Sequence, residues 1–97
     1  MKEIEWETRY SPDGIKFDKQ GRFARIASYN GMRIGWIDGT ILEEDNELLK
    51  AKVNDKVYIC KTYFPSIYND PASLITTDLT KAEMFIELEW YKFLRRL

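Results

Sequence analysis

Histidine is absent from this 97-residue chain, and Cys60 is its only thiol. The two gaps close off much chemistry. Without histidine there is no Ser-His-Asp or Cys-His machinery and no His-ligated zinc, haem or copper. One cysteine allows neither an internal disulfide nor a thiolate cage for a metal. No apolar run approaches the length of a membrane span, and Met1-Lys2-Glu3-Ile4-Glu5-Trp6-Glu7 lacks the apolar stretch of a signal peptide. There is no internal repeat, low-complexity tract or linker. The phosphate loop GxxxxGK[ST], the GxSxG elbow and the GxGxxG fingerprint are all missing. The four serines have no evident activating base, and the acidic residues do not follow the spacing of a calcium loop. Nothing marks two of the 16 Asp and Glu residues as a catalytic pair. These absences lead to the expectation of a protein that is not an enzyme and carries no cofactor or metal.

The residues that are present describe a folded domain. The composition is 44% hydrophobic and 14% aromatic, which argues against intrinsic disorder. A chain of this length is expected to form one domain over residues 1–97 and to bury roughly 65% of the surface its unfolded form exposes. A surplus of rings in so small a domain tends to reach the surface. Cys60 lies in the apolar run Val57-Tyr58-Ile59-Cys60, where a buried, unreactive thiol is expected, and a reducing cytoplasm suits it.

Most of the chain reads as strands and turns. Ile4, Trp6, Thr8 and Tyr10 alternate with Glu3, Glu5, Glu7 and Arg9, the period of a half-buried strand, and the glutamate row suits a sheet edge. Ser11-Pro12-Asp13-Gly14 has the chemistry of a type I turn, Ile15 and Phe17 alternate with Lys16 and Asp18, and Lys19-Gln20-Gly21 turns the chain again. Arg22 to Tyr29 and Met32 to Ile37 flank Asn30-Gly31, the strongest hairpin signal. Asp38-Gly39 reads as a further turn or bulge before Thr40-Ile41-Leu42, and Leu48 to Val53 as a strand pairing with Lys56 to Phe64 across Asn54-Asp55. Residues 65–78, opened by Pro65 and interrupted by Pro71, read as a long loop.

The last segment reads as a helix. Thr80-Lys81-Ala82-Glu83 has the form of a capping box, with Asp78 as a possible earlier start, and Arg95 and Arg96 suit the C-terminal end of the helix dipole. At 100° per residue Ala82, Ile86, Trp90, Phe93, Leu94 and Leu97 share one stripe that should pack on the sheet. Met84, Leu88 and Tyr91 form a second, nearly opposite strip, with Phe85 between it and Glu89, Lys92 and Arg96. The fold expected is therefore α+β: an antiparallel β-meander of about five to six strands with one C-terminal helix on it.

Three surfaces remain as candidates for function. Met84, Leu88 and Tyr91, together with Tyr63 and Tyr68, are candidate protein-binding residues, since methionine and tyrosine are enriched at interfaces. The competing reading buries both the second strip and residues 65–78 in the core. Lys16, Lys19, Arg22, Arg25 and Arg33 form a basic region that, with Phe23 and Tyr29, fits a nucleic-acid surface, although the formal net charge is only -1. Asp38, Glu43, Glu44, Asp45 and Glu47 form an acidic stretch suited to docking on a basic partner. Both charged groups also read as ordinary solvated faces. The leading expectation is a small cytoplasmic protein of inhibitor or adaptor type that binds another protein or a second copy of itself. By analogy it fits a phage or mobile-element inhibitor of a host defence system. A nucleic-acid-binding module using residues 16–33 is the alternative, and an enzyme of unknown class comes third.

Overall fold

The computed structural model describes residues 4–9, 23–65 and 71–96. Among these residues there are five strands: β1 (Glu5–Arg9), β2 (Phe23–Tyr29), β3 (Met32–Ile41), β4 (Lys56–Pro65) and β5 (Pro71–Thr76). They form one antiparallel sheet in the order β1-β2-β3-β4-β5, followed by the helix α1 (Leu79–Arg95). The architecture is the α+β meander with a C-terminal helix that the periodicities imply. Asn30 (φ 54°) and Gly31 (φ 79°) both adopt the left-handed conformation that a tight β2–β3 turn requires.

Period-two alternation divides the sheet into two faces. Phe23, Arg25, Ala27, Ile37, Tyr58, Cys60, Thr62, Phe64 and Leu74 point toward α1, and Ala82, Ile86 and Trp90 of the helix close the core against them. A bulge adds to this face. Ala27 pairs with Gly35 but Ser28 with Arg33, so Ile34 is an extra residue in β3, and it is almost fully buried. The aromatic end of the core gathers around Trp90, whose ring lies 5.3 Å from Tyr29, 5.2 Å from Phe64 and 5.5 Å from Phe93. Phe93 and Leu94 are partly buried beside it, as the first helical stripe requires.

Two glycines sit beneath close contacts of the core. At Gly35 a side chain would stand 2.9 Å from Ile86 Cγ2, so the helix rests directly on the β3 backbone. Gly39 pairs with Phe23 on one side and Tyr58 on the other, and those two rings meet edge to face at 5.8 Å. The missing side chain on the middle strand leaves room for that contact.

Four local expectations are corrected. Asp38-Gly39 is no turn: it lies inside β3, and continuous pairing with both neighbours outweighs its turn chemistry. Residues 48–53 form no strand against β4. Asn46 bridges to Ala51 around a turn at 47–50, with Lys50 at φ 54°, and this leaves Leu48 96% exposed at the tip. Part of the segment 65–78 is a strand, because Pro71 opens β5 at a sheet edge, where a missing N–H is tolerated. Of the two helix starts the sequence offers, the earlier one at Asp78 is adopted and the Thr80 capping box is not formed. The Asp78 carboxylate accepts from Thr80 N at 2.9 Å and Lys81 N at 3.4 Å, while Glu83 turns away to pair with Arg25. The turns expected at 11–14 and 19–21, the strand residues Ile15 and Phe17, and Leu97 fall outside the described residues.

Candidate functional site

A single helix covers one face of the sheet, so the other face has no second layer among the described residues. The molecule is thin, with principal extents of 42 × 30 × 17 Å. On the helix-free face Glu5, Glu7 and Arg9 line the β1 edge, and Ile26, Trp36, Ile59, Tyr63 and Ile75 occupy the middle and the far side. Ile26 pairs with Trp36, and Ile59 with Ile75.

Trp36 is the centre of this patch. Its ring and that of Tyr63 are 4.4 Å apart at an interplanar angle of 35°, a close tilted stack. The indole Nε1 donates to Asp38 Oδ2 at 3.0 Å, and Lys61 Nζ lies 6.0 Å from the ring centroid. The two rings are thereby held by flanking groups of opposite charge. Tyr63 and Ile75 are 53% and 50% exposed, so the patch is wet as well as apolar. Sequence reasoning singled out Tyr63 and Asp38 but missed Trp36, Ile26, Ile59 and Ile75. The available signal was that β4 is apolar at Val57, Ile59 and Tyr63 as well as at Tyr58, Cys60 and Phe64, which needs cover on two faces.

The second helical strip lies on the opposite side of the molecule. Met84 and Leu88 are 51% and 55% exposed, while Tyr91 is partly buried against the core. Phe85 is also partly buried. Met84 and Leu88 therefore do not join Tyr63 in one surface, and Tyr68 lies outside the described residues.

The basic group does not form a free row. Lys16, Lys19 and Arg22 lie outside the described residues, and Arg33 is exposed beside the β2–β3 turn. Arg25 points toward the helix. Its Nε is 3.1 Å from Glu83 Oε1, its NH1 donates to Thr8 Oγ1 at 3.1 Å, and the guanidinium sits 5.2 Å from the Trp6 ring centroid. The Nε–H is not aligned on Glu83, so that contact is an ion pair without a directed hydrogen bond. Trp6 Nε1 donates to Glu87 Oε1 at 3.3 Å, which completes a polar seam between β1, β2 and α1. Burial of the Glu83 carboxyl raises its pKa. The Arg25 charge opposes this and the nearby Glu87 adds to it. Phe23 is buried and Tyr29 packs on Trp90, so neither ring is placed to stack with an external base.

The acidic residues divide between two places. Asp38 belongs to the helix-free face, whereas Glu43, Glu44, Asp45 and Glu47 occupy the hairpin extension between β3 and β4. Asp45 is committed locally, accepting from Val53 N at 2.8 Å and lying 4.0 Å from Lys52 Nζ. Asn46 Oδ1 accepts from Leu49 N at 3.1 Å and shapes the tip. Among the described residues no three His, Cys, Asp or Glu side chains converge as metal ligands. Cys60 is buried and donates to Leu74 O at 3.3 Å. Burial pushes its pKa up to about 11. No described helix is long and apolar enough to cross a membrane.

Comparison with protein-family models, curated proteins and solved structures finds no match to this chain.

Proposed function

We propose that this chain is a non-catalytic binding protein of inhibitor or adaptor type, which docks on another protein through the helix-free face of its sheet. The observation carrying the reading is the stacked Trp36–Tyr63 pair, set among Ile26, Ile59 and Ile75 with Lys61 and Asp38 beside it. Tryptophan and tyrosine dominate binding hot spots, and such anchors work best in an apolar centre with a polar rim. The rings are already held by their neighbours, so little side-chain freedom is lost on docking. The face carries both signs of charge, with Glu5 and Glu7 at one side and Lys61 near the centre. That mixture suits a protein surface better than a polyanion, which favours concentrated positive charge.

The test is affinity capture from the source cell, comparing the wild-type chain with Trp36→Ala, Tyr63→Asp and Leu88→Asp. Circular dichroism should show all three folded, since each site is at least partly exposed. The proposal expects a partner whose affinity falls at least about 30-fold with Trp36→Ala, the size of a 2 kcal/mol hot spot. Tyr63→Asp should abolish capture and Leu88→Asp should preserve it. A partner retained by both sheet-face variants and lost with Leu88→Asp overturns the proposal and moves the interface to the helix.

A further inference from the structure

The two edges of the sheet differ in kind. β1 reads Glu-Trp-Glu-Thr-Arg, whereas β5 reads Pro-Ala-Ser-Leu-Ile-Thr, without a charge. Charged residues on an edge oppose pairing with another chain, and β5 lacks that protection. Two contacts fix which of its backbone groups are free. Ala72 N donates to Thr62 Oγ1 at 3.0 Å, and Leu74 O accepts from Cys60 Sγ at 3.3 Å, so residues 72 and 74 direct their backbone groups toward β4. Alternate residues of a strand direct theirs to opposite sides. Ser73 and Ile75 therefore point away from β4, where no further strand lies among the described residues. Pro71 shares that outward phase and has no N–H, which blunts only one end of the edge.

We propose that two copies of this chain pair through β5, antiparallel about a twofold axis at Leu74, to form one continuous sheet. In this register Ser73 stands opposite Ile75 of the second copy, and each such pair exchanges two N–H···O bonds. Four bonds then satisfy the outward groups of Ser73 and Ile75 in both copies. Leu74 meets its own counterpart on the helix side, and Ala72 meets Thr76. Facing residues share a face of the sheet, as pleating demands, and none is charged. The same operation centred on Glu7 of β1 would oppose Glu7 with itself, so β5 is the self-complementary edge. A six-residue strand is about 20 Å long, so the pairing buries less than the roughly 1,200 Å² of a stable interface. The dimer should therefore be weak, with a dissociation constant of tens of micromolar or higher.

Sedimentation velocity from about 5 µM to about 1 mM tests the pairing, because so small an interface is populated only at the upper end. The mass should rise toward the dimer with concentration, and amide exchange should slow at Ser73 and Ile75 but not along β1. Ser73→Pro removes one outward N–H at an edge position that tolerates proline, and Ile75→Lys adds the missing edge charge. Each variant should keep the wild-type circular dichroism and sediment as a monomer, while Leu88→Asp should still dimerise. A wild-type chain that stays monomeric throughout overturns the proposal, including the case in which the edge serves a strand from a different protein. So does a dimer that survives both edge variants.

Discussion

Gly35→Ala probes how closely the helix rests on the sheet. An alanine Cβ at this position would lie 2.9 Å from Ile86 Cγ2, 3.0 Å from Lys61 O and 3.2 Å from Ile86 Cδ1. Ordinary carbon contacts begin near 3.5 Å, so the helix or the β4 backbone must yield by about half an ångström or more. Overpacking of this kind costs about 1–3 kcal/mol. The stiffer unfolded chain returns about 0.4–1 kcal/mol, since Gly35 is not in a left-handed conformation. The net loss should be roughly 1–2 kcal/mol, which lowers Tm by about 5–15 °C in a domain of this size. Ile86 is fully buried, and Ile86→Ala should cost about 2–5 kcal/mol through the cavity it leaves. It also removes both methyl groups that the new Cβ would strike. The double variant should therefore be more stable than the sum of the singles by about 1 kcal/mol or more, with the Lys61 carbonyl contact limiting the relief. Urea unfolding followed by tryptophan fluorescence reads the cycle, because Trp90 is buried between Phe64 and Phe93. Additivity within about 0.3 kcal/mol would refute the close approach of Ile86 to β3.

Three further outcomes follow from the described contacts. With a pKa of about 11, Cys60 is roughly one part in a thousand thiolate at pH 8, so a thiol reagent should label the native chain only as fast as it opens and should label the denatured chain at once. Asp78→Ala removes an acceptor shared by two helix N–H groups and should cost about 1 kcal/mol, read as a Tm drop of about 4–8 °C. Glu83 holds its proton at higher pH when folded than when unfolded, so its contribution favours the fold below the unfolded pKa and is lost as pH rises through the folded one. Glu83→Gln should accordingly match the wild type near pH 4 and exceed it in stability at pH 7. Urea unfolding at both values checks this, and the reverse order would mean that the Arg25 attraction outweighs burial.

The parts of the fold set by local periodicity were legible in the sequence. Ala82, Ile86 and Trp90 recur at helical spacing and are buried together, and Asn30-Gly31 turns where its backbone preferences place it. The errors arose where a tertiary partner decides. Asp38-Gly39 has turn chemistry, yet Phe23 and Tyr58 close over Gly39 and keep it within β3. Thr80 and Glu83 have capping-box spacing, yet Arg25 draws Glu83 away, and Asp78, two residues before Thr80, has its carboxylate on the free N–H groups. Pro71 reads as a breaker because sequence does not reveal that its strand is the outermost one. The same limit applies to the candidate site. Arg25 looked like one of a basic row until Trp6, Thr8 and Glu83 surrounded it.

The layering of the fold favours a binding role. A sheet with apolar residues on both faces needs two covers, and among the described residues a single helix supplies one. In β4, Tyr58, Cys60 and Phe64 are buried on the helix side; on the other face Val57 is buried at one end, while Ile59 and Tyr63 remain partly or largely open. Selection for stability alone would place polar residues at Trp36, Ile59, Tyr63 and Ile75, as exposed faces of antiparallel sheets usually carry. Trp36 is instead held by a hydrogen bond to Asp38 and a stacked Tyr63, an investment of ordering in a surface that the fold itself does not require. A partner that buries those rings would recover that cost. Replacing Trp36 and Tyr63 with threonine should therefore leave folding stability within about 1 kcal/mol, since both sit on an open face. A loss of several kcal/mol would show that the patch belongs to the core and would remove the reason for a partner.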